Sequence, residues 1–238
     1  MANAKDIEVK KLKVLIYGKS GTGKTTFAST FPHPYFFDFD NGMLSLKGKD
    51  IEYDTYKEIQ KAEMKLKELE LKCPYETIVV DSVSTMQEIM MKRQLELNRK
   101  MSPTLHEWMM LVQGIKSLFT RLVAMPQHLV ITAHEEIIRD EITGEILIQP
   151  LIVGKMASSL PIYFDEVYRA EVRKDKDKKV IYQIMTTATQ KYSAKSRLGC
   201  LDTIEEPDFK KILGKVKAST QAFHAVQKEM DSMPDRDD

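Results

Sequence analysis

Apolar residues along this chain follow two rhythms. Short, nearly unbroken runs occur at residues 12–17 (LKVLIY), 35–40 (YFFDFD), 77–81 (TIVVD) and 128–133 (HLVITA). Each is too short for a stable helix and rich in β-branched or aromatic residues, the pattern of strands covered on both faces. Between them, apolar positions recur at three- and four-residue steps. Ile59, Ala62, Leu66 and Leu69 mark a helix over 55–72, and Met86, Ile89, Met90 and Leu95 mark one over 84–99. Trp108, Leu111, Ile115, Phe119 and Leu122 mark a third over 104–125, and 208–230 reads as one or two more. Residues 44–54 hold at most a short strand around Ile51–Tyr53. Past residue 134 the rhythm becomes period two. It predicts one hairpin over 135–150, turning at Thr143-Gly144, and a second with strands at 165–172 and 180–188. Strands alternating with helices predict an α/β fold: a mostly parallel central sheet flanked by helices, with late antiparallel hairpins.

Composition narrows this picture only slightly. The 238 residues suit an α/β core with an appendage, here expected as a core over 1–200 and a C-terminal helical extension over 201–238 with a disordered acidic tail. The net charge of +1 selects no partner, so any nucleic-acid contact must come from local patches. Cys73 and Cys200 have neither redox nor metal-ligand spacing, the N-terminus is polar and charged, and no apolar run approaches a membrane span. A cytoplasmic protein is the expectation.

The chemistry is concentrated between the first run and the segment after it. GKSGTGKT, Gly18 to Thr25, fits G-x-x-x-x-G-K-[ST] at every fixed position, after a strand and before a helix. Backbone N–H groups of such a loop converge on phosphate oxygens. We therefore expect Gly18, Lys19, Ser20, Gly21, Thr22, Gly23, Lys24, Thr25 and Thr26 to form the nucleotide cradle. Lys24 would reach the β- and γ-phosphates of ATP, and the Thr25 hydroxyl would hold Mg²⁺. Asp81 ends the third run 57 residues after Lys24, as a Walker B carboxylate would, and is the second metal candidate. Asp38 and Asp40 close the second run and His134 follows the fourth, at strand ends where ligands of open α/β sheets bind. His134 reads equally as a γ-phosphate sensor or as a structural histidine; His106 and His128 read as structural. The basic tip RKDKDKK (173–179) is a solvated turn or a phosphate-backbone contact. Lys195 and Arg197, two apart, point the same way on an extended backbone and form a pair able to reach a neighbour's γ-phosphate.

Together GKSGTGKT, YFFDFDNG, TIVVDSVS, ITAHE, LPIYFDEVYR and KYSAKSRLG make residues 10–200 resemble the RecA-like P-loop ATPases, and among them the short phage ATPases of the Sak-type, single-strand-annealing group. The resemblance implies roles. Asp40 matches the acid that polarises the attacking water, where the family more often carries Glu, and Asp38 is the nearby alternative. His134 stands where RecA has a Gln that couples γ-phosphate to the DNA loops. Lys195 and Arg197 match basic residues that enter the next subunit's site. Segment 135–158 matches the DNA-binding loops. Single-strand binding wants basic and aromatic residues along a groove, for which Arg139, Lys155, Tyr163 and Tyr168 are the candidates. The implied protein is an Mg²⁺-dependent, DNA-stimulated ATPase acting on single-stranded DNA in phage recombination or annealing. It would be a homo-oligomeric ring or filament in the host cytoplasm, with a single-strand-binding protein as a further partner. Two alternatives stay open. One is a small-molecule kinase using Asp38-Phe39-Asp40 to place its acceptor. The other is an AAA+ loader or remodelling ATPase, with 201–238 as the remnant of a helical lid.

Overall fold

The computed structural model describes residues 9–139, 141–142 and 144–231. Its centre is a sheet built on β1 (Lys13–Tyr17), β2 (Pro34–Asp38), β3 (Glu52–Thr55), β4 (Thr77–Asp81), β5 (His128–Ala133) and β8 (Glu166–Lys174), with β6 (Glu135–Arg139) and β7 (Ile146–Pro150) as a separate ribbon. Strands β9 (Val180–Met185), β10 (Lys195–Ser196) and β11 (Ile204–Glu205) complete it. The order is β11-β9-β8-β1-β5-β4-β2-β3, and β10 pairs with β8. All neighbours from β8 to β3 run parallel, whereas β9, β10 and β11 are antiparallel additions. The α/β class with a mostly parallel sheet and late hairpins is as the sequence predicts.

Each central strand splits its side chains between two apolar layers, as strand geometry requires. Leu15, Tyr17, Ile78, Val80, Leu129 and Ile131 face one layer, with α2 (Ile59–Leu71), α3 (Val83–Leu97) and α4 (Leu105–Ala124). Val14, Ile16, Val79 and Val130 face the other, which holds α1 (Lys24–Ala28) and α6 (Phe209–Asp231). Full burial of such a side chain is worth roughly 1.5–3 kcal/mol, so both faces must be covered. That is why these strands read as continuous apolar runs. Helix α4 starts where Thr104 and Glu107 close a capping box, and α3 starts where the Ser82 hydroxyl accepts from the Thr85 N–H.

Several details differ from expectation. Helix α2 begins at Ile59 rather than Thr55, because Thr55 ends β3 and donates to Asp38, and Tyr56 is buried against Phe37. Strand β2 ends at Asp38, which leaves Asp40 in the bend beyond it. The second predicted hairpin is joined to the central sheet, because β8 pairs in parallel with β1 as well as antiparallel with β9. A short α5 (Met156–Ser159) follows β7. Past residue 200 the chain adds β11 to the sheet and sends Phe209 and Ile212 into the core. The predicted acidic tail from residue 232 on, and Thr143 of the predicted turn, lie outside the described residues. Among the described residues no helix is long and apolar enough to cross a membrane.

Candidate nucleotide site

The cleft opens at the carboxyl ends of the parallel strands. Gly18 leaves β1 so close to β8 that a Cβ there would lie 2.4 Å from the Ala170 carbonyl oxygen. Gly21 and Gly23 have φ of +78° and +84°, left-handed conformations that side chains disfavour. The loop is pinned from inside: Thr22 Oγ1 donates to the Lys19 carbonyl at 2.8 Å. Lys24 Nζ donates to the carbonyls of Gly18 (2.9 Å) and Lys19 (2.8 Å). Burial lowers the Lys24 pKa, against the pull of Asp81, Asp40 and Glu135. A desolvated ammonium held only by carbonyl dipoles has a strong drive to acquire phosphate oxygens. Ser20, Gly21, Gly23, Lys24, Thr25 and Thr26 line the resulting cavity of about 820 Å³. Gly18, Lys19 and Thr22 shape the loop from behind.

Strand β5 lies between the loop strand β1 and β4, yet Asp81 at the end of β4 still reaches the loop. Its Oδ2 accepts from Thr25 Oγ1 at 2.7 Å and its Oδ1 from Thr132 Oγ1. Burial raises its pKa, with the two hydroxyls pulling the other way. The predicted metal pair, Thr25 and Asp81, is thus assembled. A hydroxyl and a carboxylate beside a phosphate loop are oxygen donors of the kind Mg²⁺ takes, with phosphates and water filling the remaining positions. Among the described residues no cluster of three or more His, Cys, Asp or Glu could hold a metal without such help.

The two acids at and just beyond the end of β2 separate in role. Asp38 is fully buried, its oxygens accepting from the Gly42 N–H (3.1 Å) and Thr55 Oγ1 (2.9 Å). It fastens the turn and β3. Asp40 lines the cleft. Its Oδ1 accepts from Ser82 Oγ (2.8 Å) and Thr85 Oγ1, and its Oδ2 lies 3.2 Å from His134 Nε2. Burial opposes its ionisation, but the bonds from His134, Thr85 and Ser82 outweigh it and hold the carboxyl at about 2. His134 also lines the cleft, with its N–H donating to Ser84 Oγ at 2.9 Å.

The predicted late pair stands apart from its own chain's cleft. Lys195 Nζ donates to the carbonyl oxygens of Pro161 and Phe164, so its charge is engaged within the subunit. Arg197 keeps a half-exposed guanidinium, 3.3 Å from Asp165. Of the candidate DNA contacts, Tyr168 is corrected outright: it is buried, with its hydroxyl donating to Glu166 and its ring edge-on to Phe27. Tyr163 packs against Phe119, while Arg139 and Lys155 are exposed.

Sequence reasoning missed the hydroxyls. Ser82, which caps α3, and Ser84 and Thr85 in its first turn hold Asp40 and His134; the run SVST after the Walker B strand was the available signal. It also missed Glu135 and Arg169, paired at 3.2 Å behind the loop with Tyr192 stacked on the guanidinium at 4.0 Å, and Tyr182, which lines the cleft from β9. Glu135 Oε1 is buried without a partner.

A glycine-rich loop ending a parallel strand, a lysine folded into it, and a Thr–Asp pair beside it define a P-loop nucleotide-binding protein. The chain belongs to the AAA domain family, which it matches over residues 10–198, and is a P-loop ATPase of that broad class. Among solved structures it is similar to a KaiC-like protein of the hyperthermophilic archaeon Pyrococcus horikoshii OT3. Identity is 14% and the TM-score 0.47, over 73% of this chain and 77% of that one. A comparison with curated proteins finds no match.

Proposed function

We propose that the protein hydrolyses ATP with Mg²⁺ in an oligomer that acts on single-stranded DNA, as an annealing or recombination ATPase. The observation that carries the hydrolytic part is the joining of Thr25 to Asp81 at 2.7 Å, with Asp40 and His134 lining the same cleft. Mg²⁺ bound there would supply charge neutralisation of the β- and γ-phosphates. Lys24 adds a second positive charge from a desolvated position, where electrostatic stabilisation is strongest. Asp40 orients the attacking water. A carboxylate held at about 2 is a weak proton acceptor, so its part is to align and polarise water rather than to remove its proton early. His134 fixes one Asp40 oxygen and senses the phosphate end of the cleft.

Two features support action on DNA. The β6–β7 ribbon leaves β5 at His134 itself, and its exposed Ile137, Ile138, Arg139 and Leu147 offer apolar and cationic contacts for an unstacked strand. Its far end is tied back to the cleft, because Ser84 Oγ donates to the Leu151 carbonyl while accepting from His134 N–H. Arg197 is the residue presented to a neighbour, with Lys195 anchoring its strand. A surface pair such as Arg197–Asp165 is worth at most about 1 kcal/mol and exchanges readily for a phosphate. The kinase alternative loses its motif, since Asp38 is spent on the turn and cannot share an acceptor with Asp40. The test is ATP turnover with and without single-stranded DNA. DNA should raise turnover, Lys24→Ala should abolish it, and Arg197→Ala should abolish it while nucleotide still binds. Turnover indifferent to DNA in a protein that binds none would end the DNA reading.

A further inference from the structure

The cleft has a second end. In a P-loop the lysine and the hydroxyl residue mark where the β- and γ-phosphates lie. Here Asp81, His134 and Asp40, which belong with that end, are carried by β4, β5 and β2, all on one side of β1 in the sheet. The nucleoside must leave in another direction. On the opposite side of β1 lie β8 and then β9, and β9 delivers Tyr182 to the cleft wall. Its Cδ1 lies 3.2 Å from where a Gly23 Cβ would stand, so the ring rests directly on the loop. It is 47% exposed, and none of the described residues hydrogen-bonds its hydroxyl. Pro207, just before α6, lines the same cleft, as do Thr26 and Phe27 of α1. Neither an amide nor a charged side chain stands among these four.

Resting on the nucleotide reading above, we propose that Tyr182, with Pro207, is the base platform of this site. It holds the base by stacking and apolar contact, with no hydrogen-bond readout, so the site accepts purine and pyrimidine triphosphates alike. An exposed aromatic ring on a β-hairpin gains from any nucleobase, because every base has a π-face. Selection between bases needs fixed donors and acceptors, and the side chains of these four residues offer only the hydroxyls of Tyr182 and Thr26. The φ of +84° already favours glycine at position 23, and a Cβ there would also press on the Tyr182 ring at 3.2 Å.

The test is isothermal titration of the full chain, with Mg²⁺, by ATP, CTP and inorganic tripolyphosphate. Wild type should bind ATP and CTP within about tenfold of each other. Tyr182→Ala should weaken ATP and CTP by roughly tenfold and leave tripolyphosphate unchanged, while Tyr182→Phe should match wild type for all three. Equal losses for ATP and tripolyphosphate would show that the ring only props the loop and would overturn the proposal. So would an unchanged ATP affinity in Tyr182→Ala, or a wild-type preference for ATP over CTP beyond a hundredfold. If wild type binds tripolyphosphate as tightly as ATP, the base platform alone falls. If it binds neither, the nucleotide reading falls, and the platform with it.

Discussion

Replacing Asp81 with Asn separates what the site does from what the fold prefers. Asp81 is 1% exposed, and burial raises its pKa, so at neutral pH its ionised form costs the folded state free energy. Two hydroxyls and the nearby Lys24 offset much of that cost. Asn has nearly the same shape. Its oxygen can accept from Thr132, and its amide can face Thr25, whose half-exposed hydroxyl is free to turn. We expect Asp81→Asn to stabilise the nucleotide-free protein by about 1 kcal/mol, the low end for removing a buried charge. For a chain of this size that raises Tm by roughly 2–4 °C. A group with a raised folded pKa binds more protons folded than unfolded. Its cost is therefore present above the folded value and vanishes below the unfolded one, near 3.8. The gain at pH 7.5 should shrink as the pH approaches 4. Mg²⁺ reverses the balance. Wild type with Mg²⁺-ATP at about a hundred times Kd gains about 2.7 kcal/mol, whereas the variant should gain no more with Mg²⁺ than with chelator. Thermal unfolding followed by fluorescence, with and without ATP, Mg²⁺ and chelator, reads all of this. A variant less stable than wild type without nucleotide, or one with an undiminished Mg²⁺ increment, would refute the reasoning.

Other outcomes follow from the same geometry. Asp40→Asn should lower ATP turnover by roughly 10²–10³-fold with ATP affinity nearly unchanged, because the water-facing carboxylate is lost and the phosphate cradle is not; single-turnover kinetics with a binding titration checks it. Gly18→Ala drives a Cβ to 2.4 Å from the Ala170 oxygen and should cost about 1–3 kcal/mol in urea unfolding, with weaker nucleotide binding. His128 accepts from the Leu12 N–H at 3.1 Å, and burial, with Lys11 and Lys13, depresses it to about 4. Its neutral form therefore supports the fold above pH 6.5, and about 2 kcal/mol should be lost as pH falls from 6.5 to 4; the slope between pH 7 and 5 should flatten in His128→Gln. Ser84→Ala removes the tie between His134 and Leu151, and turnover should lose its response to single-stranded DNA while basal turnover persists, as paired assays with and without DNA would show.

The sequence carried the parts of this site that are local. A strand, a glycine loop and a lysine lie within a dozen residues, and their spacing is dictated by backbone geometry, so Gly18 to Thr25 could be read directly. Asp81 was legible because a buried strand must be apolar until it ends. The strand order was not legible. That β5 separates β1 from β4, and that β8 lines up in parallel on the other side of β1, depends on pairings between segments more than a hundred residues apart. For the same reason Tyr182 and Pro207 could not be assigned to the nucleotide: nothing in IYQIM or EEPDF marks them, and only the sheet brings them to the loop. Lys195 was misleading in a different way. Spacing shows which side of a strand a residue occupies, but not that the backbone carbonyls of Pro161 and Phe164 are there to hold its ammonium.

The loop gathers opposite charges into one dry place. Elsewhere the two faces of the sheet are mostly aliphatic and aromatic, and the buried acids Asp38, Glu107 and Glu166 are met by hydrogen bonds from within the chain. Here Lys24, Asp81 and the Glu135 side chain are nearly dry, the first with its pKa lowered by burial, the second with its pKa raised by burial, and the third with one oxygen unpartnered. Such an arrangement is unfavourable as architecture, since each buried charge costs more than an apolar residue of the same volume. It becomes favourable when a divalent cation meets Asp81 and phosphate oxygens meet Lys24. A fold that keeps opposite charges desolvated on either side of a phosphate loop stores that difference until ligand arrives. Stabilisation by Mg²⁺-nucleotide should accordingly exceed the sum of stabilisation by nucleotide alone and by Mg²⁺ alone, because each ligand neutralises the half of the site that the other leaves exposed.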